Sequence, residues 1–339
     1  MSHEVPMARW GVRLSDTLRE ALAAGELERA AELVEHGDGM AKSLAKEYSM
    51  MYRGLGITIR VMLGSLASLA REWRTEDALV AHCRDFVVDL NHLMAAAWQG
   101  APQPVPATLT APEATALVVA ALAAGEAAFD QAHGANAQST LAAIRRGDAT
   151  AALALIDVKE HALYLPLHDR FVRFMADSMA FALRHGGDAG LMRFQMETAE
   201  GQKAGFDKWE QMSAGEFAQV SAFLLKLHMG EVTVTEDAQR FTLHQTLCGS
   251  GGRLRTMGAY EGPNALPFVE RAGPLTFGQR RLPVYCSHCP VWNGVATLKW
   301  YGRVHWLFED ASREDGSCTA HIYKRREDQP EALVAPLRG

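Results

Sequence analysis

The stretch Glu231-Val-Thr-Val-Thr-Glu-Asp-Ala-Gln-Arg-Phe-Thr-Leu-His-Gln-Thr-Leu-Cys248 decides the fold class, because the hydrophobic period of the chain changes there. Its two halves, Glu231 to Thr235 and Arg240 to Leu247, are rich in β-branched and aromatic residues, which predicts a β-hairpin. Before this stretch, from Leu14 to about Met229, apolar residues recur at intervals of three and four, which indicates helices. The sequence therefore predicts an α+β protein.

Two helix starts and one linker organise the helical region. Thr110-Ala-Pro-Glu113 and Ser213-Ala-Gly-Glu216 are capping boxes. The prolines between Gly100 and Pro106 remove backbone donors and restrict the residues before them, so this segment cannot continue a helix. We expect a helical module over 1–106, a second helical module over 107–230 and a small mixed α/β metal-binding domain over 231–339.

The two helical modules contain stretches that look alike. Leu18 to Leu33 and Leu141 to Leu155 each read as a helix, a glycine, an acidic residue and a second helix. A duplicated module would explain this, and so would the shared alanine-rich composition, since helical hairpins of one composition resemble each other. Within the last domain, Arg303 to Phe308 and Thr319 to Lys324 are further strand candidates.

Bulk composition limits the function classes. The chain has 339 residues, 48% of them hydrophobic, and a formal net charge of −6, with no stripe of Lys and Arg of the kind that binds nucleic acid. The first twelve residues lack the apolar run of a signal peptide, and we expect charges and glycines to interrupt the apolar stretches before membrane-spanning length. These features predict a soluble cytoplasmic protein, and the apolar helix faces could form a homodimer surface.

Cysteines mark the candidate site. Four of the five cysteines lie in the last quarter of the chain, at Cys248, Cys286, Cys289 and Cys318. In a reducing compartment they favour metal binding over disulfides. The spacing of Cys286 and Cys289 aims two sulfurs at one point, so the simplest prediction is a zinc site with these four ligands. The fifth cysteine, Cys83, is expected in the core of a helical face.

The sequence leaves the coordination number open. Four protein ligands would make a closed structural site, whereas three would leave a position for water or substrate. Several histidines could replace one cysteine, although lone histidines on strands are more often structural; they are His228, His244, His288, His305 and His321.

A glycine and arginine segment follows the first of these cysteines. In Cys248-Gly-Ser-Gly-Gly-Arg253-Leu-Arg255 the glycines let backbone N–H groups turn toward one point, and the arginines add positive charge. The segment could hold a carboxylate or phosphate beside the metal, or it could be a flexible loop with solvated arginines. We therefore name His288, Arg253 and Arg255 as candidate catalytic residues.

A carboxylate and histidine group also occurs in the second helical module, at Glu160-His161 and His168-Asp169. Pro166 interrupts the helical register between the two pairs. The Glu-x-x-His pairs that carboxylate-bridged metal sites use are absent, so solvated or structural roles are expected.

The cysteine pattern of the last domain, with its Asp315-Gly-Ser-Cys318-Thr-Ala-His-Ile-Tyr strand, resembles that of the 4-vinyl reductase domain and of 2-amino-thiazoline-4-carboxylate hydrolases. The resemblance covers about a quarter of the chain. It implies a small α and β domain that binds a small organic ligand, with cysteines suspected of metal binding. The hydrolase family further implies cleavage of a C–N bond.

Three functions are therefore open. The first is a zinc-dependent enzyme, hydrolytic or lyase-type, acting on a small anionic organic substrate. The second is a ligand-binding or regulatory protein in which a four-cysteine zinc site is purely structural. The third is a metal-free cysteine catalyst that uses Cys286 or Cys289 activated by His288.

Overall fold

The structure is a computed structural model, and it describes residues 5–338. The chain is an α+β protein, mainly helical, with a small antiparallel sheet near the C-terminus, as the sequence predicts. The helices of the first two thirds are α1 Leu14–Ala23, α2 Leu27–His36, α3 Ser49–Trp73, α4 Glu76–Leu93, α5 Ala111–Arg145, α6 Ala149–Asp157, α7 Leu165–Gly201, α8 Lys203–Glu210 and α9 Ala214–Leu227. Two π-helical segments, Met94–Trp98 and Val158–Tyr164, follow α4 and α6.

The rest of the chain holds the strands and four short helices. These elements are β1 Glu231–Glu236, β2 Arg240–Leu247, α10 Gly251–Thr256, β3 Phe268–Val269, β4 Leu282–Pro283, α11 His288–Pro290, α12 Ala296–Tyr301, β5 Leu307–Asp310, β6 Cys318–Tyr323 and α13 Glu331–Val334. The main sheet has the order β1-β2-β6-β5, and every neighbouring pair is antiparallel. Helix α9 packs on this sheet through Phe217, Ala218 and Leu225, which meet Leu243 and Ile322.

The predicted helix starts and the hairpin are confirmed. At both helix starts the N3 glutamate accepts from the cap residue: Glu113 from the backbone N–H of Thr110 at 2.7 Å, and Glu216 from that of Ser213 at 2.9 Å. The structure has no helix between Trp98 and Ala111. The domain limits after residues 106 and 230 stay predictions.

The two similar stretches form similar turns. Gly25, with φ 74°, separates α1 from α2, and Gly147, with φ 78°, separates α5 from α6. In each turn the residue after the glycine donates to a carbonyl five residues earlier, Glu26 to Ala21 at 2.9 Å and Asp148 to Ala143 at 3.0 Å. Such a left-handed position favours glycine. The local geometry therefore repeats, whether or not the modules are duplicates.

The strand predicted from Arg303 to Phe308 is wrong over residues 303–306, because β5 begins only at Leu307. The backbone groups of the preceding residues have other partners. His305 donates its N–H to the Asn293 carbonyl at 2.9 Å, and the side chain of Gln329 bonds both backbone groups of Val304. A ladder partner cannot use groups that are already bonded.

The chain divides into two compact units. Unit 1 consists mainly of Val12–Ile57 and Glu76–Phe171, and in it α5 contacts α2, α4 and α6. Unit 2 consists of Met7–Gly11, Thr58–Thr75 and Val172–Gly339, and it contains the sheet.

Within residues 5–338, only α5 is long and apolar enough to cross a membrane, which the sequence analysis did not expect. Length and composition are the sole basis of this finding, and core helices of globular proteins have the same properties. The cytoplasmic location stays a prediction.

Candidate functional site

A small cavity in unit 2 brings the four C-terminal cysteines together. Its lining consists of Cys248, Ser250, Gly251, Gly252, Tyr285, Cys286, His288, Cys289, Phe308, Ala311, Ser312 and Cys318. The cavity has a volume of about 30 Å³. A cavity of about 10–15 Å³ holds one water molecule, so this cavity has room for an ion together with one small ligand.

Strand pairing places two of the cysteines side by side. Cys318 opens β6 opposite Gln245 of β2, and Cys248 directly follows the last residue of β2. The backbone N–H of Cys248 donates to the Gly316 carbonyl at 2.9 Å. The antiparallel pair β2 and β6 thus brings Cys248 and Cys318, which are far apart in sequence, to one end of the sheet.

The glycines after Cys248 allow close packing around the sulfurs. A β-carbon at Gly251 would lie 2.7 Å from the sulfur of Cys286, and one at Gly252 would lie 2.2 Å from the carbonyl oxygen of Gly316. Real β-carbons do not approach other atoms so closely, so a side chain at position 251 would displace the Cys286 sulfur, and one at position 252 would displace backbone. The glycine-rich segment therefore has a packing role, which the sequence analysis did not consider.

The thiols are buried close to one another. Burial raises the pKa of the Cys286 thiol to about 12, and the hydrogen bond between this thiol and the Ser312 hydroxyl opposes the shift. Burial, followed by repulsion from the other three cavity cysteines, raises the pKa of Cys289 well above its ordinary value. Burial also raises the pKa of Cys318, with further repulsion from Cys248 and Cys286. Negative charge on these sulfurs would need a compensating cation.

His288 is oriented toward a cysteine of the pair. Its Nδ1 lies 2.6 Å from the carbonyl oxygen of Tyr285, which makes Nδ1 the donor and leaves a lone pair on Nε2. Nε2 lies 3.4 Å from the sulfur of Cys289. Burial lowers the pKa of His288 to about 4, so the ring is neutral at pH 7. A neutral imidazole fixed by a backbone carbonyl can serve as a metal ligand or accept a hydrogen bond from the Cys289 thiol.

Tyr285 and Ser250 line the cavity but were not among the predicted site residues, although Ser250 lies in the glycine and arginine segment. Tyr285 is 2% exposed, lines the cavity, and has its hydroxyl hydrogen-bonded to Ser250. The ring of His288 lies beside it, with the ring centroids 4.7 Å apart. Tyr285 directly precedes Cys286, and this adjacency was the sequence signal that could have indicated it.

The other predicted site residues lie outside the cavity lining. Arg253 and Arg255 are on α10, whose first residues do line the cavity. Arg253 contacts the sulfur of Met257 at 3.6 Å, and Arg255 donates to the carbonyl of Ser312 at 2.8 Å. Five histidines were candidate ligands, and four of them are not among the lining residues: His228, His244, His305 and His321.

As the side chains stand, the structure from residue 5 to 338 contains no group of three or more His, Cys, Asp and Glu positioned to hold a metal ion. A thiol moves between staggered rotamers by rotation about its Cα–Cβ bond. Sulfurs that line one cavity can therefore be re-aimed without moving the backbone.

A second group of buried polar residues lies in unit 1. It includes charged side chains, which usually lie on the surface of a protein. Lys159, at 0% exposure in the π-helical segment, forms an ion pair with Glu47 and donates to the Ser15 hydroxyl at 3.1 Å. The neighbouring Glu160 accepts from the Tyr48 hydroxyl at 2.7 Å. Glu160 thus has a structural role, as expected. A π-helical segment next to α-helices often marks a functional or strained position.

His133 of α5 is buried beside this group. Neither of its ring nitrogens has a hydrogen-bond partner among residues 5–338, and its ring lies edge-on to Tyr48. Burial, and then the charges of Lys159 and Lys46, hold the pKa of His133 well below its ordinary value. The folded protein therefore excludes a proton that the unfolded chain accepts.

This predicts that acidification destabilises the protein. Below the unfolded pKa of about 6.5, the free energy of unfolding should fall by up to about 1.4 kcal/mol for each pH unit because of His133. His133→Phe should remove that part of the slope, which urea unfolding at pH 7 and pH 5 measures. Equal slopes for His133→Phe and the wild type would contradict the prediction.

No protein-family model, curated protein or solved structure matches this chain.

Proposed function

We propose that unit 2 binds a metal ion, most simply Zn²⁺, and that the protein is a zinc-dependent enzyme acting on a small anionic organic substrate. The observation that carries the proposal is that all four C-terminal cysteines and His288 line one cavity. Thiolates and a neutral imidazole are the ligands that zinc prefers.

The donor set fits a soft divalent cation. Cys248, Cys286, Cys289 and Cys318 are all free thiols, and none of the lining residues is a carboxylate. A divalent cation would offset the repulsion between buried sulfurs. When bound, Zn²⁺ supplies a Lewis acid that polarises a substrate oxygen, which suits a hydrolytic or lyase-type reaction.

The surrounding residues supply hydrogen bonds and charge. Nε2 of His288 lies 3.4 Å from the sulfur of Cys289 and can accept a hydrogen bond from its thiol or bind the metal ion. Tyr285 presents a hydroxyl at the cavity, anchored by Ser250. Arg253 and Arg255 carry positive charge on the helix that begins at the cavity wall, so a substrate carboxylate could bind there.

Metal analysis tests the proposal. After anaerobic purification, mass spectrometry should find about one zinc ion per chain, as a single tetrahedral site requires. Cys286→Ser and Cys289→Ser should each lose most of it. Cys83→Ala is the control, since Cys83 is a buried thiol that lies on α4 in unit 1, outside the cavity. Absence of metal from the wild-type protein would contradict the proposal.

Alkylation separates the metal centre from a metal-free thiol catalyst, which the 3.4 Å approach of His288 to Cys289 favours. Bound zinc should protect the cavity cysteines until a chelator is added. Equal labelling with and without chelator would support the thiol catalyst instead.

A second candidate is a ligand-binding or regulatory protein with a purely structural zinc site. The burial of Cys286 and Cys318 favours it, because closed sites need little access. Oxalate or acetate should change the visible spectrum of the Co²⁺-loaded protein if a coordination position is open. An unchanged spectrum would support the structural site. The likeness to 4-vinyl reductase domains and 2-amino-thiazoline-4-carboxylate hydrolases stays a prediction about substrate class.

A further inference from the structure

Ser312 connects two of the cavity cysteines to α10. Its hydroxyl lies 3.2 Å from the sulfur of Cys286, and its backbone N–H hydrogen-bonds the sulfur of Cys318. Its carbonyl oxygen accepts from Nη1 of Arg255 at 2.8 Å. One residue thus uses its side chain, its N–H and its carbonyl for the site.

The backbone of Ser312 adopts an unfavourable conformation. Its φ of 54° lies in the left-handed region, which non-glycine residues rarely adopt. Such conformations persist when the surroundings fix them, and they concentrate at functional sites. Here two hydrogen bonds fix the peptide after Ser312: Arg255 donates to its carbonyl at 2.8 Å, and the N–H of Arg313 donates to the Ser317 carbonyl at 3.1 Å.

Ser312 can hydrogen-bond a metal-bound sulfur as well as a thiol. The Cys286 thiol donates to the Ser312 hydroxyl at 3.2 Å. A hydroxyl both donates and accepts, so it can donate to the sulfur when Cys286 is a metal ligand. The hydrogen bond from the backbone N–H of Ser312 partly offsets the rise that burial causes in the pKa of the Cys318 thiol. Hydrogen bonds to metal ligands orient them and tune their basicity. Two ligands would thus be oriented by one residue.

We propose that Arg255 and Ser312 are positioning residues for the metal centre: Arg255 holds Ser312 in its left-handed conformation, and Ser312 orients Cys286 and Cys318. This inference rests on the proposed function. It also gives the two arginines of α10 different roles. Arg255 acts on the metal ligands through its hydrogen bond to Ser312, whereas Arg253 contacts the sulfur of Met257.

Zinc affinity, measured by competition with a chromophoric chelator, provides the first test. Arg255→Met should weaken Zn²⁺ binding about 10- to 100-fold, the usual effect of losing a partner of a metal ligand. Arg253→Met removes the same charge from the same helix and should leave the affinity unchanged. Equal losses in the two variants would overturn the inference, because they would indicate a general charge effect.

A glycine at position 312 provides a rescue. Ser312→Gly keeps the backbone N–H and adopts a positive φ without help, although it loses the hydroxyl. In that background Arg255→Met should cost much less affinity than in the wild type. The sulfur-to-Co²⁺ charge-transfer band should follow the same pattern, and circular dichroism should confirm that each variant is folded. An Arg255→Met effect of the same size in both backgrounds would overturn the inference.

A third measurement does not depend on metal. In chelator-treated protein, Arg255→Met should speed the alkylation of Cys286 and Cys318, which mass spectrometry measures. Two control variants should not: Arg253→Met on α10, and Glu314→Gln in the loop that contains Ser312. If the wild-type protein takes up no zinc, the proposed function fails and this comparison alone decides the role of Arg255. Unchanged alkylation of both cysteines would then overturn it.

Discussion

Replacing Lys159 by methionine is expected to lower the free energy of unfolding by about 3–5 kcal/mol, because it leaves a buried carboxylate without its cation. Glu47 is 2% exposed, and it also accepts hydrogen bonds from the hydroxyl and the N–H of Ser15, at 2.7 and 3.2 Å. The ammonium of Lys159 also lies 4.2 Å from the centre of the Tyr48 ring. Denaturant unfolding of the purified protein measures the loss.

Two further variants sharpen this prediction. Lys159→Met combined with Glu47→Leu should recover much of the loss, since apolar replacement of both partners in a buried pair is often neutral or stabilising. Lys46→Met breaks the neighbouring pair with Asp130, in which Lys46 is half exposed, and should cost at most about 1 kcal/mol. A loss below about 1 kcal/mol for Lys159→Met would show that the carboxylate finds another partner or takes up a proton.

Gly252→Ala is expected to destabilise unit 2 by about 3 kcal/mol, the upper part of the usual range for overpacking. The new β-carbon would lie 2.2 Å from the Gly316 carbonyl oxygen and 3.1 Å from the β-carbon of Cys248. The first neighbour is backbone, so a side-chain rotation cannot relieve the clash. The hydrogen bond from Cys248 to Gly316 should weaken, which would separate the segments that carry Cys248 and Cys318.

Gly205→Ala is the matched control within unit 2. Gly205 lies on α8, and no atom lies within 4 Å of its added β-carbon. Alanine should stabilise this helix by about 0.5–1 kcal/mol. Thermal unfolding of the two variants should therefore shift in opposite directions, and a neutral Gly252→Ala would indicate that the Gly316 segment moves freely.

Local patterns predicted much of the fold. The capping boxes at Thr110 and Ser213 and the hairpin of β1 and β2 depend on residues close in sequence, so they could be identified without tertiary information. The strand predicted from Arg303 failed because Asn293 and Gln329, which are distant in sequence, occupy its backbone groups. Propensity does not reveal such long-range competition.

The candidate site was predictable in its atoms but not in its arrangement. Cysteine clustering indicated Cys248, Cys286, Cys289 and Cys318, and the spacing within the pair indicated His288 between them. Tyr285 carried only the signal of its adjacency to Cys286, and Ser312 carried none, because tyrosine and serine occur everywhere in a chain. Their place in the site depends on which loops the strands β2, β5 and β6 bring together.

By itself, the sequence determined the α+β class, two helix starts, the hairpin of β1 and β2, and the thiols that could bind a metal, because each depends on the chemistry of residues near in the chain. Only the tertiary structure decided that these thiols line one cavity, that Arg255 reaches the Ser312 carbonyl, and that Lys159 and Glu47 pair in a helical core. Those contacts join residues far apart in sequence. They form because strand pairing and helix packing bring the residues together, which no local pattern encodes.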